Sequence, residues 1–251
     1  MASQTQPVTT TTGSEPEIIL YDLASTKNLC FSPGGARIRL MLNYKRIPYK
    51  TVFIEFPDIA PTLKAFGIIP PESGLYTVPA IHHLASDKYI MDSASIAQFL
   101  ESTYPSPSVP LTSELGDEIL RKARSVAGKV MQTSVLPREM FILSPRSQEY
   151  FRRTREAALG HPLEQLLQGD KESQIWEDMD AGFRALGQLL LTNHDKGPFI
   201  LGEKPSYADF FIAGSLKTTR VVEESVFQRY SKYPGYHEIY QACLPFMDKW
   251  D

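Results

Sequence analysis

Cys30-Phe31-Ser32-Pro33-Gly34-Gly35-Ala36-Arg37-Ile38-Arg39-Leu40 follows a short apolar, β-rich run, Ile18-Ile19-Leu20-Tyr21, and opens an amphipathic helix. That helix, read over residues 33–46, carries Ile38, Met41 and Leu42 on one face. Pro33 suits the first helical position, because the N–H it lacks would find no partner there. Ser32 is then left at the N-cap, where free backbone N–H groups and the positive end of the helix dipole favour an anion. A thiolate held against Ser32 would gain from both. Ser32 therefore either only caps the helix or also activates a sulfur.

With 251 residues, 42% apolar and 22% charged, the chain has the make-up of an ordinary globular protein of one large or two small domains. That length buries a core without disulfides, and no metal is expected. The net charge of −3 supplies no basic field for nucleic acid or for an anionic membrane surface, so neither is expected as a partner. Only two cysteines occur, Cys30 and Cys243, which is no disulfide framework and fits the reducing cytoplasm. Residues 1–16 are rich in Thr, Ser and Gln. They lack both the apolar stretch of a secretory signal and the arginines of a mitochondrial presequence, and read as a disordered tail. No apolar run approaches the ~18 residues of a membrane span.

From residue 17 to 104 the pattern alternates strand, helix, strand, helix, strand, strand, helix. Glu17–Asp22 and Tyr49–Ile54 are β-rich, and Asp58–Phe66 is a short helix candidate. Val78–His83 and Lys88–Met91 read as a hairpin joined by Ala85-Ser86-Asp87, and Ser93–Tyr104 as a helix. Pro105, Pro107 and Pro110 then mark a stiff linker, residues 105–113. Everything from residue 114 to 251 is helical in pattern. Helices are expected from Leu115 through Val130, over Ser147–Leu159, Glu172–Asn193, Ser206–Phe227 and Tyr233–Met247. The fold class is thus an α/β domain followed by an all-α domain.

Three further motifs carry chemistry or structure. In Thr77-Val78-Pro79-Ala80, Pro79 either bounds a strand or takes a cis bond that turns the Val78 backbone outward to pair with an extended peptide. In Met91-Asp92-Ser93-Ala94-Ser95, Ser93 can cap a helix. The N–H groups there can receive a carboxylate while Asp92 pairs with an ammonium group. In Pro205-Ser206-Tyr207-Ala208-Asp209, Ser206 and Asp209 have the spacing of a capping box. Asp209 sits in an apolar run, so a buried carboxylate bonded to the Ser206 N–H is expected.

Taken together, in this order and spacing, the four motifs resemble the cytosolic glutathione S-transferase superfamily over essentially residues 17–251. The resemblance implies a thioredoxin-like domain joined to a helical one. It implies that Pro79 is cis, that Val78 pairs with the cysteinyl backbone of glutathione, and that Asp92 and Ser93 hold its γ-glutamyl end. Ser32 takes the position of the catalytic residue in the Ser- and Cys-type classes. Cys30 lies two residues too early for that role and reads as a small buried or loop side chain, the alternative being a mixed disulfide with glutathione. Ser206 and Asp209 match the structural capping box of the family. The nearest subgroup is the fungal etherase-like transferases, which share Leu20–Leu23, Ser32-Pro33, the Asn43–Tyr49 stretch and the Phe56–Ile59 run. That subgroup often has an aromatic residue after the proline where this chain has Gly34-Gly35-Ala36, a change that could reshape the thiol pocket.

What the resemblance implies about function is a cytoplasmic, homodimeric transferase that uses glutathione against a hydrophobic small molecule, such as a fungal secondary metabolite. Conjugation, reductive thiolysis and reversible addition with cis–trans isomerisation all fit. The electrophile is expected near Leu29, Phe31, Met131, Val135 and Phe141, each of which reads equally well as core. The rival is a non-catalytic transferase-like module that binds a ligand or a protein.

Overall fold

The computed structural model describes residues 15–251, so nearly all of the expected N-terminal tail lies outside the described residues. The chain runs β1 (Ile18–Leu23), α1 (Pro33–Lys45), β2 (Tyr49–Ile54), α2 (Ile59–Ala65), β3 (Ala80–His83), β4 (Lys88–Met91) and α3 (Ser93–Thr103). These form a four-stranded sheet of order β2-β1-β3-β4. β1 and β2 are parallel, and β1–β3 and β3–β4 are antiparallel. Parallel pairing needs a crossover, which α1 supplies. Ile18 and Leu20 are fully buried on β1, and Asp22 continues the same face by the period of two. Tyr21 points to the other face, where its ring lies 4.9 Å from Phe66 at the end of α2.

The second part is helical: α4 (Glu114–Val130), α5 (Leu136–Glu139), α6 (Pro145–Leu159), α7 (Lys171–Leu190), α8 (Tyr207–Val222), α9 (Glu224–Tyr230) and α10 (Tyr236–Cys243). The expected α/β thioredoxin-like sheet domain followed by an all-helical domain is the observed fold. No helix among the described residues is long and apolar enough to cross a membrane.

Where elements differ from expectation, local chemistry accounts for it. The strand expected from Val78 starts at Ala80, because Pro79 has no N–H for the ladder. The long helix expected over Ser206–Phe227 breaks at Glu223, which is extended (φ −151°, ψ 108°) and accepts the Ser225 N–H to cap α9. The helix expected from Tyr233 starts at Tyr236, after Gly235 at φ +79°. Beyond α4 an unforeseen wide turn spans Met131–Val135, ahead of Pro137. It buries Ser134, whose hydroxyl accepts the Trp176 indole N–H at 3.0 Å.

Two contacts lock the sheet domain to the helices. α8 is the central buried helix of the second domain and packs along α1; a Cβ added at Gly214 would come within 3.1 Å of the Ala36 Cβ. Small residues at both positions let the two backbones approach. The last residues of the chain also return to the sheet domain. Trp250 donates its indole N–H to the Cys30 carbonyl at 2.8 Å, and Cys30 N–H donates to the Trp250 carbonyl at 3.0 Å. At the linker, buried Lys45 donates to the Tyr104 and Pro107 carbonyls at 2.6 and 2.8 Å and pairs with Glu101 at 2.7 Å.

The start of α8 is held by Asp209, whose carboxylate is fully buried. It accepts the Ile200 N–H at 2.8 Å, the Ser206 N–H at 2.8 Å and the Ser206 hydroxyl at 2.6 Å. Asp209→Ala strands two buried N–H groups and should cost roughly 3 kcal/mol or more in denaturant unfolding. A loss under about 1 kcal/mol would show that the carboxylate is not the nucleus of this helix start.

The first turn of α1 has its own constraint. A Cβ at Gly34 would lie 2.9 Å from Pro79 Cδ, and one at Gly35 would lie 2.3–2.5 Å from the Asp22 carboxyl atoms. Asp22 is fully buried and paired with the equally buried Arg39 at 3.3 Å, so it has nowhere to retreat. Gly35→Ala is therefore expected to lower unfolding stability by about 2–4 kcal/mol, although alanine is the better helix former. A neutral or stabilising result in a melting experiment would show that the turn yields to a methyl group without cost.

Candidate active site

Ser32 closes the N-terminus of α1 with extended backbone (φ −81°, ψ 122°), and Pro33 occupies the first helical position. The Ser32 oxygen accepts the Gly35 N–H at 3.2 Å. Accepting uses a lone pair and leaves the hydroxyl proton free to donate outward. The serine is nearly buried, at 6% exposure. Against the same turn lies Pro79, joined to Val78 by a cis peptide bond. The Val78 N–H and C=O enter no hydrogen bond among the described residues. A backbone donor and acceptor thus stand open beside the Ser32 hydroxyl.

Asp92, rather than Ser93, caps α3. Its Oδ1 accepts the Ala94 and Ser95 N–H groups at 2.9 and 3.1 Å. Asp92 has φ +80°, an unfavourable backbone for a residue with a Cβ. Ser93 is the first helical residue, and its hydroxyl oxygen lies 3.5 Å from an Arg37 guanidinium nitrogen. Arg37 also donates to the Pro33 carbonyl at 3.0 Å, so one side chain connects the starts of α1 and α3.

Cys30 is fully buried, and its sulfur contacts the Ser32 carbonyl at 3.5 Å. Burial, then the nearby Asp22 carboxylate, push its thiol well above the usual cysteine range. That environment disfavours the thiolate, and Cys30 packs beneath the turn. The Gly34-Gly35 pair lies against two distant residues. The absent side chains make room for Pro79 at the half-buried Gly34 and for Asp22 at the buried Gly35.

Two cavities flank the Ser32–Pro79 junction. One, of about 310 Å³, is lined by Val78 with Leu23, Phe56, Tyr76, Tyr150 and Arg155. The other, of about 290 Å³ and strongly apolar, lies between Pro33 and Arg37 of α1 and the facing sides of α4 and α8. Of the five residues expected to meet an electrophile, only Met131 lines it. Phe31 and Val135 are buried in the core at 2% and 1% exposure, while Leu29 and Phe141 stand on the surface at 36% and 76%. Helical spacing could not separate these outcomes, because both a core and a pocket ask for an apolar side chain. Phe211, Tyr230 and Tyr236 line the cavity unforeseen. They come from α8, α9 and α10, and no local pattern links them. Among the described residues no cluster of His, Cys, Asp or Glu could hold a metal ion.

Comparison with known proteins agrees with this geometry. The family models described as glutathione S-transferase N-terminal domain and C-terminal domain match residues 31–103 and 121–237. A glutathione S-transferase-like protein of Aspergillus flavus, ustS, is 34% identical over 216 residues, covering 79% of this chain and 78% of its own. A maleylpyruvate isomerase of a Ralstonia species is 24% identical over 219 residues, 86% of this chain and 90% of its own. Among solved structures, a glutathione S-transferase of Ceriporiopsis subvermispora in complex with glutathione superposes with TM-score 0.81 at 30% identity, covering 93% of this chain and 99% of that one. Two matched domains in the right order, and a relative aligned over most of both lengths, make this chain a member of the glutathione S-transferase family.

Proposed function

We propose that Ser32 donates a hydrogen bond to the sulfur of glutathione and holds it as a thiolate at the N-terminus of α1. The observation that carries this reading is the Ser32 oxygen's bond to the Gly35 N–H, which leaves the hydroxyl proton available beside an open Val78 backbone. The cysteinyl N–H and C=O of the tripeptide pair with Val78, over Pro79. The γ-glutamyl ammonium meets the free oxygen of the Asp92 carboxylate, and its carboxylate meets Ser93 at the start of α3. The glycyl end then runs toward the cavity beside Val78, which Arg155 lines. Neighbouring structures of the family were solved in complex with glutathione, which supports the same ligand here.

A free thiol titrates at about 8.5 and is mostly neutral at pH 7. Lowering it by about two units needs roughly 2.7 kcal/mol, within the combined reach of one charge-assisted hydrogen bond and a helix terminus. The thiolate attacks a hydrophobic electrophile in the apolar cavity behind Pro33. The ligand need not leave as a conjugate: addition to a conjugated alkene, rotation and elimination return glutathione unchanged. The likeness to a maleylpyruvate isomerase supports that second course alongside conjugation. The two cysteines are free and buried, which suits the cytoplasm, and the family resemblance supports a homodimer.

Glutathione at millimolar concentration should raise the melting temperature of the wild type, as mass action requires of any ligand of the native state. Ser32→Ala is expected to lower turnover of a reactive aryl halide by about a hundredfold and to move the rise of rate with pH upward by one to two units. Turnover within a few-fold of wild type, with an unmoved pH profile, would leave Ser32 as a helix cap only.

A further inference from the structure

The apolar cavity has polar groups of two kinds: arginines with no carboxylate partner and tyrosine hydroxyls with no hydrogen bond among the described residues. α4 and the turn after it line it from Ala123 to Met131, and α8 from Phe211 to Thr219, eight residue steps each, so it runs along about 12 Å. Its body is Ala123, Ala127, Leu216 and Met131. On the outer side stand Arg37 and the exposed Arg124. Their guanidinium carbons lie 4.5 and 5.6 Å from the centre of the Phe211 ring. Neither is in an ion pair among the described residues, where every other close cation–carboxylate contact involves different side chains.

On the inner side stand Tyr230 and Tyr236, each 3% exposed, with ring centroids 6.1 Å apart. Both hydroxyl oxygens are buried and make no hydrogen bond. Buried polar groups are nearly always bonded, and an unsatisfied hydroxyl destabilises the native state. Only four side-chain atoms among the described residues are in this condition, and two of them belong to residues that line this one cavity. A hydroxyl that finds no protein acceptor is suited to donate to one brought by a ligand.

We propose that the cavity takes an elongated apolar molecule with a carbonyl-type oxygen received by Tyr230 and Tyr236 and an anionic group held by Arg37 and Arg124. The inference rests on assigning the acceptor substrate to this cavity, and it names that substrate's class: a long, apolar oxo acid. Two guanidiniums over one aromatic ring supply charge without a fixed counter-ion, as recognition of a carboxylate requires.

The test uses three unreactive probes, so that binding is read without transfer. 4-(3-Oxobutyl)benzoate carries both groups, 4-butylbenzoate lacks the ketone and 4-phenylbutan-2-one lacks the carboxylate. Titration calorimetry on the full chain should give the oxo acid about tenfold tighter binding than either analogue. Tyr230→Phe and Tyr236→Phe should each remove most of the preference over 4-butylbenzoate while leaving the affinity for 4-butylbenzoate itself unchanged. Arg124→Gln should weaken both benzoates and leave the neutral ketone alone. Each tyrosine variant deletes one oxygen that has no partner, so its melting temperature should hold or rise. Equal affinity for oxo acid and 4-butylbenzoate in the wild type would overturn the proposal. So would a preference that survives in both tyrosine variants, since water would then be satisfying the hydroxyls. If glutathione fails to stabilise the wild type while the probe preferences and their loss hold, the transferase reading falls and the ligand site stands.

Discussion

The first turn of α1 is pressed from two sides with no side chain between. Pro79 lies against Gly34, and the Asp22 carboxylate lies against Gly35. The surroundings of Ser32 depend on that approach. It brings the serine hydroxyl, the free end of a helix dipole and the open backbone of Val78 into one place. The glycines leave no Cβ to hold them apart. Asp22 sits at the end of β1 and is fully buried, so it needs a charge, and Arg39 reaches back from α1 to supply it. The Thr51 hydroxyl on β2 accepts from the same guanidinium at 2.9 Å. Burial dominates at Asp22 and raises its carboxyl despite the arginine. The cluster is costly to build and strongly destabilising to break, which is how a buried pair fixes a geometry rather than adding stability.

The same economy of side chains joins the domains. Gly214 on α8 meets Ala36 on α1, one turn below the serine. Asp209 fixes where α8 begins, and α8 fixes where α1 can lie. The apolar cavity is what remains between these two helices and α4. Its position one residue from Ser32 is therefore a by-product of how the core is closed. The tyrosines of α9 and α10 reach the cavity from within an aromatic cluster that includes Trp176 and Phe183.

Much of this was legible in the chain. Each of the expected elements occurs, since a two-residue or 3.6-residue period is local information. Pro33 after a cap residue, and Ser206 three before Asp209, state their own hydrogen bonding. The failures have a common cause. Glu223 interrupts a continuous apolar pattern because its side chain caps the next helix, and Ser93 yields the cap to Asp92 because the turn accepts a positive φ there. In both cases two local solutions were open, and the chain's path chose between them. Cys30 reads as off-register in the sequence, and its full burial matches the reading of a small buried side chain.

The sequence by itself determined the class of fold, the capped start of α1, the buried carboxylate of α8 and the family to which the chain is similar. These rest on neighbours a few residues apart. Tertiary structure alone decided which apolar side chains became core and which became cavity. Phe31 and Met131 satisfy the same hydrophobic pattern, yet one is sealed behind α1 and the other faces an open space. It also decided the purpose of Gly34 and Gly35, because only the positions of Pro79 and Asp22, far away in the chain, leave no volume for a methyl group there. Pattern along a chain reports what a residue wants to leave, which is water. It does not report what will stand on the other side.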